Sequence, residues 1–150
     1  MAVAAFVLQN RARGGRAWLP SRVAWIAVGV GALVQSLMYA FILGGYPAAA
    51  AAYDASPALF AALQGAATFL FYLGNAAVYL GLGGVFLAET SSGGVLPRWV
   101  AILGAAACFV VAIFSAGLLA GVGEMMFAAP GALLGFLLTI HLGLSIWKHG

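Results

Sequence analysis

The chain has 150 residues, of which 65% are hydrophobic and 6% are charged, and its formal net charge is +3. With a mean hydropathy of +1.12, it lacks the charged residues that a water-soluble domain of this length needs to cover its surface. Runs such as 101–114 also lack the strict alternation of a transmembrane β-strand. The composition therefore predicts an all-α, polytopic integral membrane protein with a single domain.

The first 21 residues are expected to lie on the cytoplasmic side of the membrane, at its surface. Residues 2–8 (AVAAFVL) are apolar but too few to span a bilayer. The arginines follow this run, whereas a secretory signal has its positive charges before the apolar core. The pattern favours a short interfacial helix.

Four segments are predicted to cross the membrane, at about 22–44, 58–88, 98–121 and 127–147. Together they predict a four-transmembrane-helix bundle with short loops. The second segment would form about 46 Å of helix at 1.5 Å per residue, against a hydrocarbon core of ~30 Å. We expect this helix to tilt or to project beyond the bilayer, unless Gly81, Gly83 and Gly84 allow it to bend.

Polar side chains recur along the second predicted helix, and we call them the polar row. Gln64, Thr68, Tyr72, Asn75 and Tyr79 are separated by 4, 4, 3 and 4 residues. These spacings place all five on one face of the helix. Hydrocarbon offers their hydrogen-bonding groups no partner, so we expect the polar row to face protein or a cavity.

Polar residues of the other spans are candidates to meet the polar row. Gln35 of the first span and Asn75 both fall near the middle of their segments, and we expect them to hydrogen-bond. Tyr39 is expected at the level of Tyr72 in the outer half, and His141 at the level of Tyr79. Three interpretations remain open: these groups hold the helices together, line a pocket or passage, or face another subunit.

The predicted spans offer little catalytic or metal-binding chemistry. No Asp, Glu, Lys or Arg lies within a span core, which counts against a coupled ion pump. His141 could serve as a single axial ligand to a tetrapyrrole, but His149 lies past the fourth span. Ser145 follows His141 by one turn without the third member of a triad. We expect no enzyme activity, no metal site and no cofactor, and we expect Cys108 to be a packing residue.

The basic residues predict the orientation. Four crossings place all of them on the same side as both termini and the 89–98 loop, which the positive-inside rule assigns to the cytoplasm. The residues expected at the lipid interface are Arg11, Arg13, Arg16, Trp18, Arg22, Trp25, Arg98, Trp99, Trp147 and Lys148. Since these charges flank the spans, the expected partner is the lipid bilayer and not nucleic acid. The predicted location is the cell membrane.

The loop before the third span resembles a motif of a large uncharacterised family of bacterial multi-pass membrane proteins. Members of that family often carry SG-x-LPRW between two spans, followed by a leucine-glycine pair. The matching residues are Ser92, Gly93, Leu96, Pro97, Arg98, Trp99, Leu103 and Gly104. The resemblance covers about the second to fourth spans, implies a shortened relative of longer proteins, and implies no activity.

Two functions from different classes are compatible with these features. The first is an accessory or scaffold subunit of a larger membrane complex, or of a homo-oligomer, that acts through helix packing. Its basis is the lack of ionisable chemistry together with small-residue pairs such as Gly117–Gly121 and Gly131–Gly135. The alternative is binding or passage of a lipid, pigment, quinone or neutral solute along the polar row.

Overall fold

The structure, a computed structural model, describes residues 18–90, 96–122 and 129–149. These residues form five helices: α1 (Trp18–Gly44), α2 (Tyr46–Ala51), α3 (Pro57–Glu89), α4 (Arg98–Leu119) and α5 (Ala129–His149). Three stretches, Arg22–Ala51, α3 and α4, are long and apolar enough to cross a membrane, and α5 carries a shorter apolar stretch, Leu133–Ser145. The predicted all-α class is confirmed. The interfacial helix expected at 2–8, the loop residues Ser92 and Gly93, and the beginning of the fourth predicted span lie outside the described residues.

The central helix of the array is α3. It packs along one face against α1 and along another against α4, and α4 in turn packs against α5. Short connections make successive long helices antiparallel. Within the described ranges, the backbone of α1 does not run close beside that of α4 or α5. The four long helices therefore form a row in the order α1, α3, α4 and α5, and their number agrees with the predicted four-helix bundle. The short helix α2 lies in the connection between the first and second predicted spans.

The seam between α1 and α3 is formed by small residues that bring the two backbones together. Along α1, residues 24, 28, 31, 35 and 38 face α3 at alternating spacings of four and three, which is the repeat of a coiled-coil seam. A methyl group on Gly31 would lie 2.7 Å from the Val78 nitrogen, and one on Gly81 would lie 2.7 Å from the Ala24 carbonyl oxygen. Lipid tails are as apolar as leucine, so association in a membrane depends on such close packing.

A different arrangement joins α3 to α4, in which an aromatic ring of each helix covers a glycine of the other. The ring of Phe86, which is fully buried, lies over Gly104, and the ring of Phe109 lies over Gly83. Because each pair places a large knob on a residue without a side chain, the two helices interlock in one register. The glycines near the end of α3 therefore serve packing on two sides, and the helix is continuous through them.

The end of α4 corrects one boundary and one predicted packing pair. Gly121, with φ +82°, follows the helix, the Val122 N–H donates to the Gly117 carbonyl, and the Gly121 N–H donates to the Leu118 carbonyl. This is a Schellman motif, in which glycine provides the left-handed conformation. The third span thus ends at Leu119 and not at 121. Gly121 acts as a helix cap, and nothing lies within 4 Å of where its side chain would be.

Candidate functional site

The polar contact between α1 and α3 is a hydrogen bond between two side-chain amides. Gln35 Nε2 donates to Asn75 Oδ1 at 2.6 Å, as the sequence predicts. The contact is possible because the Cγ of Gln35 passes over Gly74, where an added methyl group would meet it at 2.6 Å. Both side chains are half-buried. A residue without a side chain therefore lets one helix extend an amide across the face of the other.

Tyr79 lies one turn further along α3 and meets α4 and α5 together. It packs against the hydrophobic core that includes Cys108. Beside this tyrosine, a methyl group on Gly135 would lie 3.4 Å from the Tyr79 ring and 3.7 Å from the Cys108 sulphur. Three helices meet here, and the sequence indicated this meeting only through the Gly131–Gly135 pair. Cys108 is fully buried, as expected for a packing residue.

The outer end of the polar row does not face inward, and the prediction for it is wrong. Gln64 and Thr68 are exposed, whereas Tyr72, Asn75 and Tyr79 are half-buried. The reason is length: α3 has 33 residues and α4 has 22, and the two helices align near α4's start. The first part of α3, including Gln64 and Thr68, therefore extends past the end of α4. Tyr39, the partner expected for Tyr72, is 58% exposed on α1.

The sequence predicts that His141 lies at the level of Tyr79, and this prediction is wrong. The residue of α5 beside Tyr79 is Gly135, six positions earlier, or about 9 Å along the helix. His141 is exposed on α5, whereas its neighbour Leu142 is buried in the core. The polar group of Thr139 bonds within the helix, to the Gly135 carbonyl at 2.7 Å. His141 therefore presents its imidazole on the outer surface of the row.

The residues predicted for the lipid interface separate into two groups. Trp99 and Trp147 are 67% and 72% exposed, whereas Trp25 is 5% exposed and belongs to the core. Trp25 belongs to the hydrophobic cluster that joins residues of α1, α3, α4 and α5. Arg22, Arg98 and Lys148 stand at the same end of the antiparallel helices. Arg11, Arg13 and Arg16 lie outside the described residues, as does the side chain of Trp18.

The described site thus brings together amides and phenols, which form hydrogen bonds with neutral groups. In the part of the chain that the structure describes, no three His, Cys, Asp or Glu side chains are grouped to hold a metal ion. Ser115 is a buried polar residue of α4.

No protein-family model, no curated protein and no solved structure matches this chain. The resemblance of the 92–104 segment to a bacterial membrane family stays a prediction.

Proposed function

We propose that this chain is a four-crossing membrane protein that acts as an accessory subunit of a larger membrane assembly, with α5 as its docking helix. Membrane insertion is supported by the three long apolar helices. It is further supported by the positions of the described charged residues. Arg22, Glu89, Arg98 and Lys148 fall at helix ends and Asp54 falls in a connection, so no described charge lies in the middle of a helix.

The helix lengths suggest a depth for the array in the bilayer. The 22 residues of α4 make about 33 Å of helix, close to the ~30 Å hydrocarbon core. Its centre lies near Cys108, at the level of Tyr79 and Gly135. The start of α3, together with α2, then projects into the headgroup region and water beyond. This placement accounts for the exposure of Gln64, which carries no penalty in water.

The described basic residues support an orientation as well. Arg22, Arg98 and Lys148 stand at one end of the antiparallel row, and Asp54 stands at the other. By the positive-inside rule the basic end faces the cytoplasm. An even number of crossings then places both termini on that side, provided that α5 crosses with its shorter apolar stretch.

The observation that carries the proposal is the exposed histidine of α5. At about 9 Å from the level of Gly135, His141 is still within the hydrocarbon region. A polar side chain at such depth is favourable only if it has a partner, and in membrane proteins it bonds across helices. α5 is also the outermost helix of the row, packed on one side by α4. A helix of another subunit, from a different protein or a second copy, would satisfy the imidazole.

The proposal is tested by the size of the assembly extracted from native membranes in a mild detergent. We expect the wild-type chain to migrate as a stoichiometric complex, and His141→Leu to release it as a monomer that keeps its helical content. The matched control is Ile113→Ala, at an apolar position of α4 that is 63% exposed. A wild-type chain that is monomeric would contradict the proposal, and so would an unchanged complex in His141→Leu. An absorbance spectrum with a tetrapyrrole band would instead assign His141 to a pigment.

A further inference from the structure

The amide pair between α1 and α3 leaves hydrogen-bonding groups without a partner. A side-chain amide offers two N–H donors and one carbonyl acceptor. Two amides can close into a ring in which each donates to the other, but the described residues show one bond, from Gln35 Nε2 to Asn75 Oδ1. The Oε1 of Gln35 remains as an acceptor, and the Nδ2 of Asn75 remains as a donor. The two groups are complementary and stand on adjoining side chains.

These two atoms are reachable from outside the protein. Gln35 and Asn75 are half-buried, and among the described residues no side-chain nitrogen or oxygen is both buried and without a hydrogen bond. Since the Gln35 Oε1 and the Asn75 Nδ2 make no hydrogen bond to the described part of the chain, both must reach the molecular surface. A molecule that approaches along this surface can therefore bond to them directly.

The position of Asn75 on α3 shows on which side of the helix these two atoms reach the surface. Gly74, the residue before Asn75, packs against α1, whereas Tyr79, one turn after Asn75, packs beside Gly135 of α5. Asn75 thus occupies the side of α3 that turns from α1 towards α5. The free amide atoms of Gln35 and Asn75 therefore reach the surface on this side of α3, between its contact with α1 and the contact of Tyr79 with Gly135 of α5. We call this surface, around Gln35 and Asn75, the α1–α5 groove.

The depth of the pair restricts the chemistry of an occupant. If the array lies in the bilayer as proposed above, Asn75 is four residues, or about 6 Å, from the midplane level of Tyr79. Charged headgroups do not reach this depth, because the cost of removing a charge from water is too high. The occupant must be neutral and soluble in lipid, and it must both donate and accept a hydrogen bond.

We propose that the α1–α5 groove binds an uncharged, lipid-soluble phenol, whose hydroxyl group donates to Gln35 Oε1 and accepts from Asn75 Nδ2. A single hydroxyl group provides both functions. A phenol is favoured over an aliphatic alcohol because Tyr39 and Tyr72 stand one turn from the pair, towards the outer side, and aromatic rings pack well against one another. This binding goes beyond the accessory role and depends on it only through membrane insertion.

The test uses the full chain in lipid nanodiscs and a tritiated long-chain 4-alkylphenol as the probe. We expect saturable binding of the phenol and about tenfold weaker binding of its methyl ether, which accepts a hydrogen bond but leaves the Gln35 Oε1 unpaired. Gln35→Leu and Asn75→Leu should each weaken phenol binding about tenfold or more. The control Gln64→Leu removes an exposed amide of the same helix and should bind the phenol as the wild type does.

A second measurement needs no substitution in the groove. In the wild-type chain with ¹⁵N-labelled side-chain amides, the phenol should shift the Asn75 resonance and leave that of Gln64 unchanged. Equal binding of the phenol and its methyl ether would overturn the proposal, as would binding that neither substitution weakens. Absence of saturable binding together with an unmoved Asn75 resonance would also overturn it. None of these results depends on the oligomeric state. The docking role of α5 is therefore tested separately, by the size of the assembly.

Discussion

Replacing Gly31 by alanine should separate α1 from α3, whereas the same replacement at Gly29 should not. The two glycines lie two positions apart on α1, so their depths along the helix differ by about 3 Å. A methyl group at position 31 would lie 2.7 Å from the Val78 nitrogen and 2.8 Å from the Gly74 carbonyl oxygen, while nothing lies within 4 Å of one at position 29. The pair of variants therefore differs in the contact with α3 and in little else.

The magnitude follows from the geometry of the seam. Ordinary van der Waals contact begins at 3.4 Å, so the backbones must move apart locally by about 0.7 Å. Backbone atoms cannot avoid the clash by a change of rotamer, and overpacking of this kind costs about 1 to 3 kcal/mol. Both variants gain the same helix propensity on changing glycine to alanine. The difference between their free energies of unfolding therefore isolates the steric cost, at about 1 to 3 kcal/mol.

The assay is reversible unfolding by SDS in mixed micelles, followed by tryptophan fluorescence. Trp25 is 5% exposed in the core, whereas Trp99 and Trp147 are 67% and 72% exposed. With Trp18, Trp99 and Trp147 replaced by phenylalanine in every variant, the change in emission on unfolding reports on Trp25, next to the seam. If Gly31→Ala and Gly29→Ala unfold with free energies equal within about 0.5 kcal/mol, the close approach of α1 and α3 is not what holds these helices together.

Three further substitutions test other parts of the array by the same unfolding assay. Gly104→Ala should destabilise the chain by about 1 to 3 kcal/mol because its methyl group meets the Phe86 ring. Adding Phe86→Leu should recover part of this loss. If the free-energy changes of the two substitutions are strictly additive, Phe86 and Gly104 do not interlock. Gln35→Leu and Asn75→Leu should each cost about 0.6 to 2 kcal/mol, and the double variant should cost less than their sum, because no amide is then left without its partner. Gly121→Ala should cost about 1 kcal/mol and Gly121→Asn less, because Asn tolerates the left-handed conformation; an equal cost for both would contradict the capping role.

Much of the fold was determined by the sequence through local rules. The density of apolar residues defined the helical class and the approximate ends of the long helices, because the length of a helix and its apolar composition are properties of contiguous residues. Two helix beginnings were marked by proline: Pro97 precedes α4, and Pro57 is the first residue of α3. The Gln35–Asn75 hydrogen bond could also be predicted from the sequence, because both amides lie near the centres of adjacent antiparallel segments.

The tertiary structure alone decided which polar residues face inward and which glycines matter. Gln64 and Asn75 lie on one face of α3, but Asn75 meets Gln35 of α1 whereas Gln64 lies where α3 extends past α4. The relative extent of two helices is not encoded in the spacing of residues along either one. Likewise Gly29 and Gly31 are equivalent in a hydropathy pattern. They differ because a neighbouring backbone lies against one of them and not against the other, and that contact depends on how two distant segments are rotated about their axes.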